Sequence, residues 1–203
     1  MGEEIQKKDA SSDEQNKLLK NFLIFIAIFI GVFLVSYIFF DSRKNFEYKG
    51  IKFEIVDELA PYRTSIPLYQ GNSVTGNFIG DYNFYLRKDP RKIGEKITLS
   101  GELHIFENVV FNATQEFRCE GDEIIGIANL ASLLERMGAR VIKNDSLSCN
   151  WDGDYTFIRL IPGNKTEIKM PGPSCYDLYI FNCEVLEVTE RLMIEIFKEI
   201  NKE

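Results

Sequence analysis

The chain has 203 residues, 45% hydrophobic and 27% charged, with a formal net charge of −7. With residues 1–40 set aside as tail and apolar segment, enough remains for one domain with a sizeable core and too little for two. From Asp41 onward 20 basic residues stand against 26 acidic ones. A surface of that sign repels phosphate backbones, so nucleic acid is not an expected partner. The one basic run, "RKDPRK" over residues 87–92, reads as a solvated turn around Pro90.

Residues 1–20 are polar without a periodic apolar face and read as a disordered tail. From Phe22 to Phe40 the chain is FLIFIAIFIGVFLVSYIFF: no charge, and 15 of 19 residues Leu, Ile, Phe or Val. A helix of that length covers roughly 28 Å, close to the hydrocarbon thickness of a bilayer. Summed insertion preferences favour lipid by on the order of 5 kcal/mol. Lys17, Lys20, Arg43 and Lys44 bracket the run and can reach the headgroups. No small-residue cleavage site follows, and Gln6 stands where a myristoylation signal needs Ser or Thr. The expectation is an uncleaved, single-pass signal-anchor over residues 21–40, with the lipid bilayer as its partner. Ala27 and Gly31 form a small-xxx-small pair, read as ordinary lipid-facing residues.

Flanking charge does not decide sidedness, because four Lys or Arg lie within fifteen residues on each side. Two other features favour the outside of the cytoplasm. All four cysteines, Cys119, Cys149, Cys175 and Cys183, fall after the span, an even number suited to an oxidising space. So do three N-x-[ST] candidate glycosylation acceptors, Asn112, Asn144 and Asn164.

Residues 41–203 read as one α+β domain, antiparallel strands first and then two helices packed on a sheet. Residues 45–69 hold two or three strands with a turn at Lys49-Gly50, and residues 70–81 are Gly- and Asn-rich loop. "YNFYLR" is a strand, and "KITLSGELHIF" and "NVVFNATQEF" add further β signal. Ile124, Ile127, Ala128, Ala131 and Leu134 recur at helical spacing, with Asp122 as N-cap and Gly138 just past the end. "ARVIK" is a strand, residues 155–161 and 165–170 form a hairpin turning at Pro162-Gly163-Asn164, and "CYDLYIFN" is another strand. A final amphipathic helix spans residues 184–200. It has Val185, Val188, Leu192, Ile196 and Ile200 on one side, Glu187, Glu190, Arg191 and Glu195 elsewhere, and Asn182 as cap.

If residues 176–181 are a strand, the Cα atoms of Cys175 and Cys183 lie roughly 26 Å apart, far beyond disulfide reach. Cys119 and Cys183 each sit where a strand hands over to a helix, and Cys149 and Cys175 each precede a strand. The expected bridges are therefore Cys119–Cys183 and Cys149–Cys175. No close Cys pair of the structural-zinc type exists, so no metal and no cofactor is expected.

Catalytic signatures are missing: no G-x-S-x-G, P-loop or G-x-G-x-x-G. His104, the sole histidine, lies in a β segment and reads as structural. Glu120, Asp122 and Glu123 read first as helix caps, and Asp152 and Asp154 as turn residues beside Trp151. An acidic-residue enzyme would need the two groups to converge in one cleft. The third alternative is a subunit of a membrane complex, assembling through the span or an apolar face.

The motifs "YKGIKFEIV", "YRTSIPLY", "YNFYLRKDPRKI", "CEGDEIIGIANL" and "GPSCYDLYIFNCEVLEVTERLMIEIF" resemble those of uncharacterised membrane-anchored proteins predicted from archaeal genomes, over most of residues 46–200. The resemblance implies no activity. The reading is thus a membrane-anchored extracytoplasmic domain, a non-enzymatic binding or envelope-associated module.

Overall fold

The computed structural model describes residues 3–70, 77–99, 101–144, 146–150 and 154–201. The chain divides into two units, Met1–Asn45 and Phe46–Glu203. The first is a single helix, α1 (Glu3–Lys44). Its stretch Asn16–Phe39, 24 residues, is long and apolar enough to cross a membrane, and none of it is buried. The helix begins at Glu3, within the stretch read from sequence as a polar tail. Those residues include strong helix formers (Glu, Gln, Lys, Leu, Ala), and extending an existing helix needs no new nucleus.

The second unit opens with β1 (Asn45–Tyr48), β2 (Ile51–Ile55), β3 (Tyr62–Gln70) and β4 (Asn77–Leu86), a sheet in the order β1-β2-β3-β4. Strands β2–β3 and β3–β4 pair antiparallel. Lys49 and Gly50 both take positive φ, 54° and 79°, as a two-residue hairpin turn requires. The strained Lys49 is held by its ion pair with Glu195 at 2.6 Å. β4 begins earlier than expected: residues 77–81, read as loop, pair with β3 across a register shift at Leu68/Tyr69. Gly80, at φ 147° opposite Leu68, makes the irregularity tolerable there.

Next comes α2 (Pro90–Lys96), a helix where a solvated turn is expected. Asp89 caps it by accepting from Arg91 N at 3.0 Å, and Pro90 fits the first helical position because it has no N–H to satisfy. The basic run is also neutralised in place: Arg87 meets Asp122, Lys88 meets Glu187 and Arg91 meets Asp89.

The remaining elements are β5 (Asn108–Ala113), α3 (Asp122–Arg136), β6 (Arg140–Lys143), β7 (Thr156–Pro162), β8 (Glu167–Gly172), β9 (Cys175–Ile180) and α4 (Val185–Ile200). The five strands order as β6-β5-β7-β9-β8, with β6, β5, β7 and β9 mutually parallel and β8 antiparallel at the edge. The expected β7–β8 hairpin does not form. β9 inserts between them, Leu178 lying opposite both Leu160 and Ile168. β9 is buried on both faces, whereas β8 exposes Lys169, so the apolar strand takes the interior place and the charged one the edge.

Residues 101–106 of "KITLSGELHIF" belong to no strand. They run extended across the amino ends of β9 and β7, secured by side-chain hydroxyls instead of a ladder. Cap positions also shift. Gly121 is the N-cap of α3, with Asp122 already inside the helix, and Glu184 occupies the N-cap of α4 while Asn182 sits in the preceding turn.

Helix α3 packs on α4 and β6, α4 also packs on α2 and β9, and the largest core cluster draws on both sheets and both helices. On one side Phe197 of α4 packs on Phe84 with ring centroids 5.5 Å apart. On the other are Leu178 and Ile180 of β9. The central place of α4 corrects its expected polar face: Glu190, Arg191 and Glu195 are all buried. Each is paired, as burial of charge demands. Arg191 donates to Ile97 O at 2.8 Å and to Glu195 at 2.7 Å. Burial pushes the Glu195 carboxyl up, but hydrogen bonds from Lys49 and Arg191 outweigh it and hold the pKa at about 2.

Candidate functional site

The parallel strands give the second sheet two distinct ends, and the structure sorts the singled-out residues between them. At the carboxyl end, Cys119 and Cys183 are bonded with Cα atoms 5.3 Å apart. There Glu123 accepts from Cys119 N and Gly121 N at 3.0 and 3.2 Å, and Asp122 faces Arg87. These carboxylates cap α3 and pair a cation. The candidate acceptors Asn112, Asn144 and Asn164 fall at the carboxyl ends of β5, β6 and β7 respectively. Asn164 is exposed, while Asn112 and Asn144 are half-buried.

At the amino end, Cys149 and Cys175 are bonded with Cα atoms 5.7 Å apart and pack with Val110, Phe157 and Tyr155. Asp154 accepts from Asn150 Nδ2 at 3.0 Å. Asp152 and Trp151 lie outside the described residues. Asp122 and Asp154 therefore stand at opposite ends of the sheet and do not converge. No group of three or more His, Cys, Asp or Glu that could hold a metal occurs among the described residues.

The amino end also carries a groove of about 460 Å³. One wall is the extended segment Leu103–Phe106, which holds His104. The Tyr176 hydroxyl locks this wall: it accepts from His104 N at 2.8 Å and donates to His104 O at 3.1 Å. Thr156 Oγ1 accepts from Phe106 N at 2.7 Å. Burial pushes the Tyr176 phenol up to about 12, against the hydrogen bond with His104, so it stays protonated and able to donate. Backbone alternation then turns Leu103 and Ile105 toward the core and leaves His104 and Phe106 outward.

The opposite side is Pro173 and Ser174 from the β8–β9 turn, with Glu199 on the last turn of α4. Ser174 O accepts from Phe157 N at 2.8 Å. Its hydroxyl, by contrast, is the one buried side-chain polar atom without a hydrogen-bond partner among the described residues. Sequence reasoning read His104 as structural and did not single out Ser174, Glu199 or Tyr176. Their convergence depends on β9 lying beside β7, which no local pattern announces.

Comparison with known proteins finds no matching family model, no matching curated protein and no matching solved structure.

Proposed function

We propose that the chain is a membrane-anchored binding module, displayed outside the cytoplasm, of the archaeal type its motifs resemble. α1 crosses the bilayer through Phe22 to Phe40, and the α+β unit meets its ligand through the groove at the amino ends of β7 and β9. The observation that carries the sidedness is the pairing of all four cysteines, with none free among the described residues. Two bridges at opposite ends of one sheet are stable in an oxidising space and are kept reduced in a cytosol. The three sequons in the same unit support the same side. The groove supports binding because its wall is fixed before any ligand arrives.

The test is labelling of intact cells with a membrane-impermeant maleimide. Labelling that appears only after addition of a reductant is expected. Labelling that requires lysis and no reductant overturns the reading, as does release of the full-length chain by carbonate washing.

A further inference from the structure

The three candidate acceptors differ in what surrounds them. Asn112 stands half-buried on β5, an interior strand between β6 and β7. Asn144 is half-buried, and its side-chain carbonyl accepts from Ser146 N at 2.9 Å. Asn164 is exposed, in the short connection from β7 to β8. Because β9 lies between those two strands, this connection crosses the carboxyl end of β9. It is held there on both sides of Asn164. Gly163 N donates to Ile180 O at 2.8 Å. Thr166 Oγ1 accepts from Phe181 N at 3.1 Å and donates to Phe181 O at 3.3 Å.

Phe181, the residue that Thr166 grips, is 51% exposed. A lone aromatic residue on a surface needs no explanation. This one is set apart by its neighbour: the backbone bonds of Gly163 and the side chain of Thr166 hold the exposed acceptor beside it. The face of an aromatic ring carries negative charge density, and the C–H face of a sugar ring is weakly positive, so the two stack.

Resting on the reading that this unit lies outside the cytoplasm, we propose that Asn164 carries an N-linked oligosaccharide whose first sugar packs on the Phe181 ring. The donor is an oligosaccharide joined through its C1 to a lipid phosphate, used by a membrane transferase. A bond forms from Asn164 Nδ2 to that C1 as the C1–O bond breaks. The lipid phosphate leaves with the electron pair, and the amide gives up one proton. Transfer precedes closure of the turn, because the transferase reads the Thr166 hydroxyl and Thr166 is only 4% exposed once folded. The bulky, polar glycan then covers an apolar ring.

The full-length chain is expressed in insect cells with an Asn-Gly-Thr acceptor appended to its C-terminus behind a flexible spacer, and occupancy is read by mass spectrometry of glycopeptides. Glycan on Asn164 is expected, and Asn164→Gln should remove it while leaving the appended acceptor modified. A modified appended acceptor beside a bare Asn164 overturns the proposal and leaves the sidedness standing. Two bare acceptors overturn both. The packing is read from thermal midpoints in a double-mutant cycle. Asn164→Gln should lower the midpoint of the glycosylated chain by about 2–4 °C, and by less than about half as much when Phe181→Ser is already present. In chain from tunicamycin-treated cells, which lack the lipid-linked donor, Asn164→Gln should leave the midpoint unchanged. Equal shifts with and without Phe181, or an equal shift in the unglycosylated chain, overturn the seating of the sugar on Phe181.

Discussion

Glu190 offers the sharpest test of the central position of α4. It is fully buried, and its two carboxylate oxygens accept from Arg87 N at 2.7 Å and Lys88 N at 2.9 Å. Burial pushes its pKa up from 4.5 to about 7, against the pull of those N–H groups and of Lys88, with Glu187 adding to the rise. A carboxyl whose folded pKa exceeds its unfolded one binds more protons when folded between the two values. Its stabilisation is present below about 4.5 and is lost as pH rises through about 7. At 1.36 kcal/mol per pKa unit the whole effect is about 3 kcal/mol, or roughly 6–12 °C in midpoint for a domain of this size. Glu195 acts in the opposite sense and in a separate range: its stabilisation is present above about 4.5 and lost as pH falls through about 2. Thermal unfolding of the detergent-solubilised chain, followed by near-UV circular dichroism from pH 5 to 8, should show the midpoint falling. Glu190→Gln should flatten that profile. At pH 5 it should sit about 1–3 kcal/mol lower, because its amide N–H faces a backbone N–H. A wild-type midpoint no lower at pH 8 than at pH 5, or a slope that survives in Glu190→Gln, refutes the reasoning.

Replacing both cysteines of a pair by serine should cost about 3.5 kcal/mol for Cys149–Cys175 and about 4.3 kcal/mol for Cys119–Cys183 by chain entropy. The order follows from sequence separations of 26 and 64, and denaturation midpoints read it. Gly126→Ala would place a Cβ 2.5 Å from Thr189 Oγ1, which is tied to Val185 O and Leu186 O. It should cost about 1–3 kcal/mol, and adding Thr189→Ala should recover most of the loss in a double-mutant cycle. Tyr176→Phe leaves His104 N and O without their partner. It should cost about 1–3 kcal/mol and shift the His104 imidazole resonance without ligand.

Much of this fold was readable along the chain. The apolar run, the helices over residues 122–136 and 185–200, and the Lys49-Gly50 turn all express local chemistry: side-chain hydrophobicity, its period and backbone preference. The logic of the cysteine pairs was accessible too, since a strand cannot bring Cys175 to Cys183. Other features were not. "KITLSGELHIF" alternates like a strand, and Leu103 and Ile105 do turn inward. Yet periodicity reports which face a residue occupies, not what its backbone bonds to, and here the partners are the hydroxyls of Tyr176 and Thr156.

The charges on α4 divide the two kinds of knowledge most clearly. Glu190, Arg191 and Glu195 look solvent-facing in any helical projection, because a projection knows one apolar stripe and assumes water on the other side. Covering α4 by a sheet on each side removes that water, and long-range partners such as Lys49, Ile97 and Arg87 replace it. The same limit applies to the groove. Strand order follows from competition among whole strands for the interior, so neither the place of β9 nor the meeting of Ser174, His104 and Glu199 is written in any local stretch of residues.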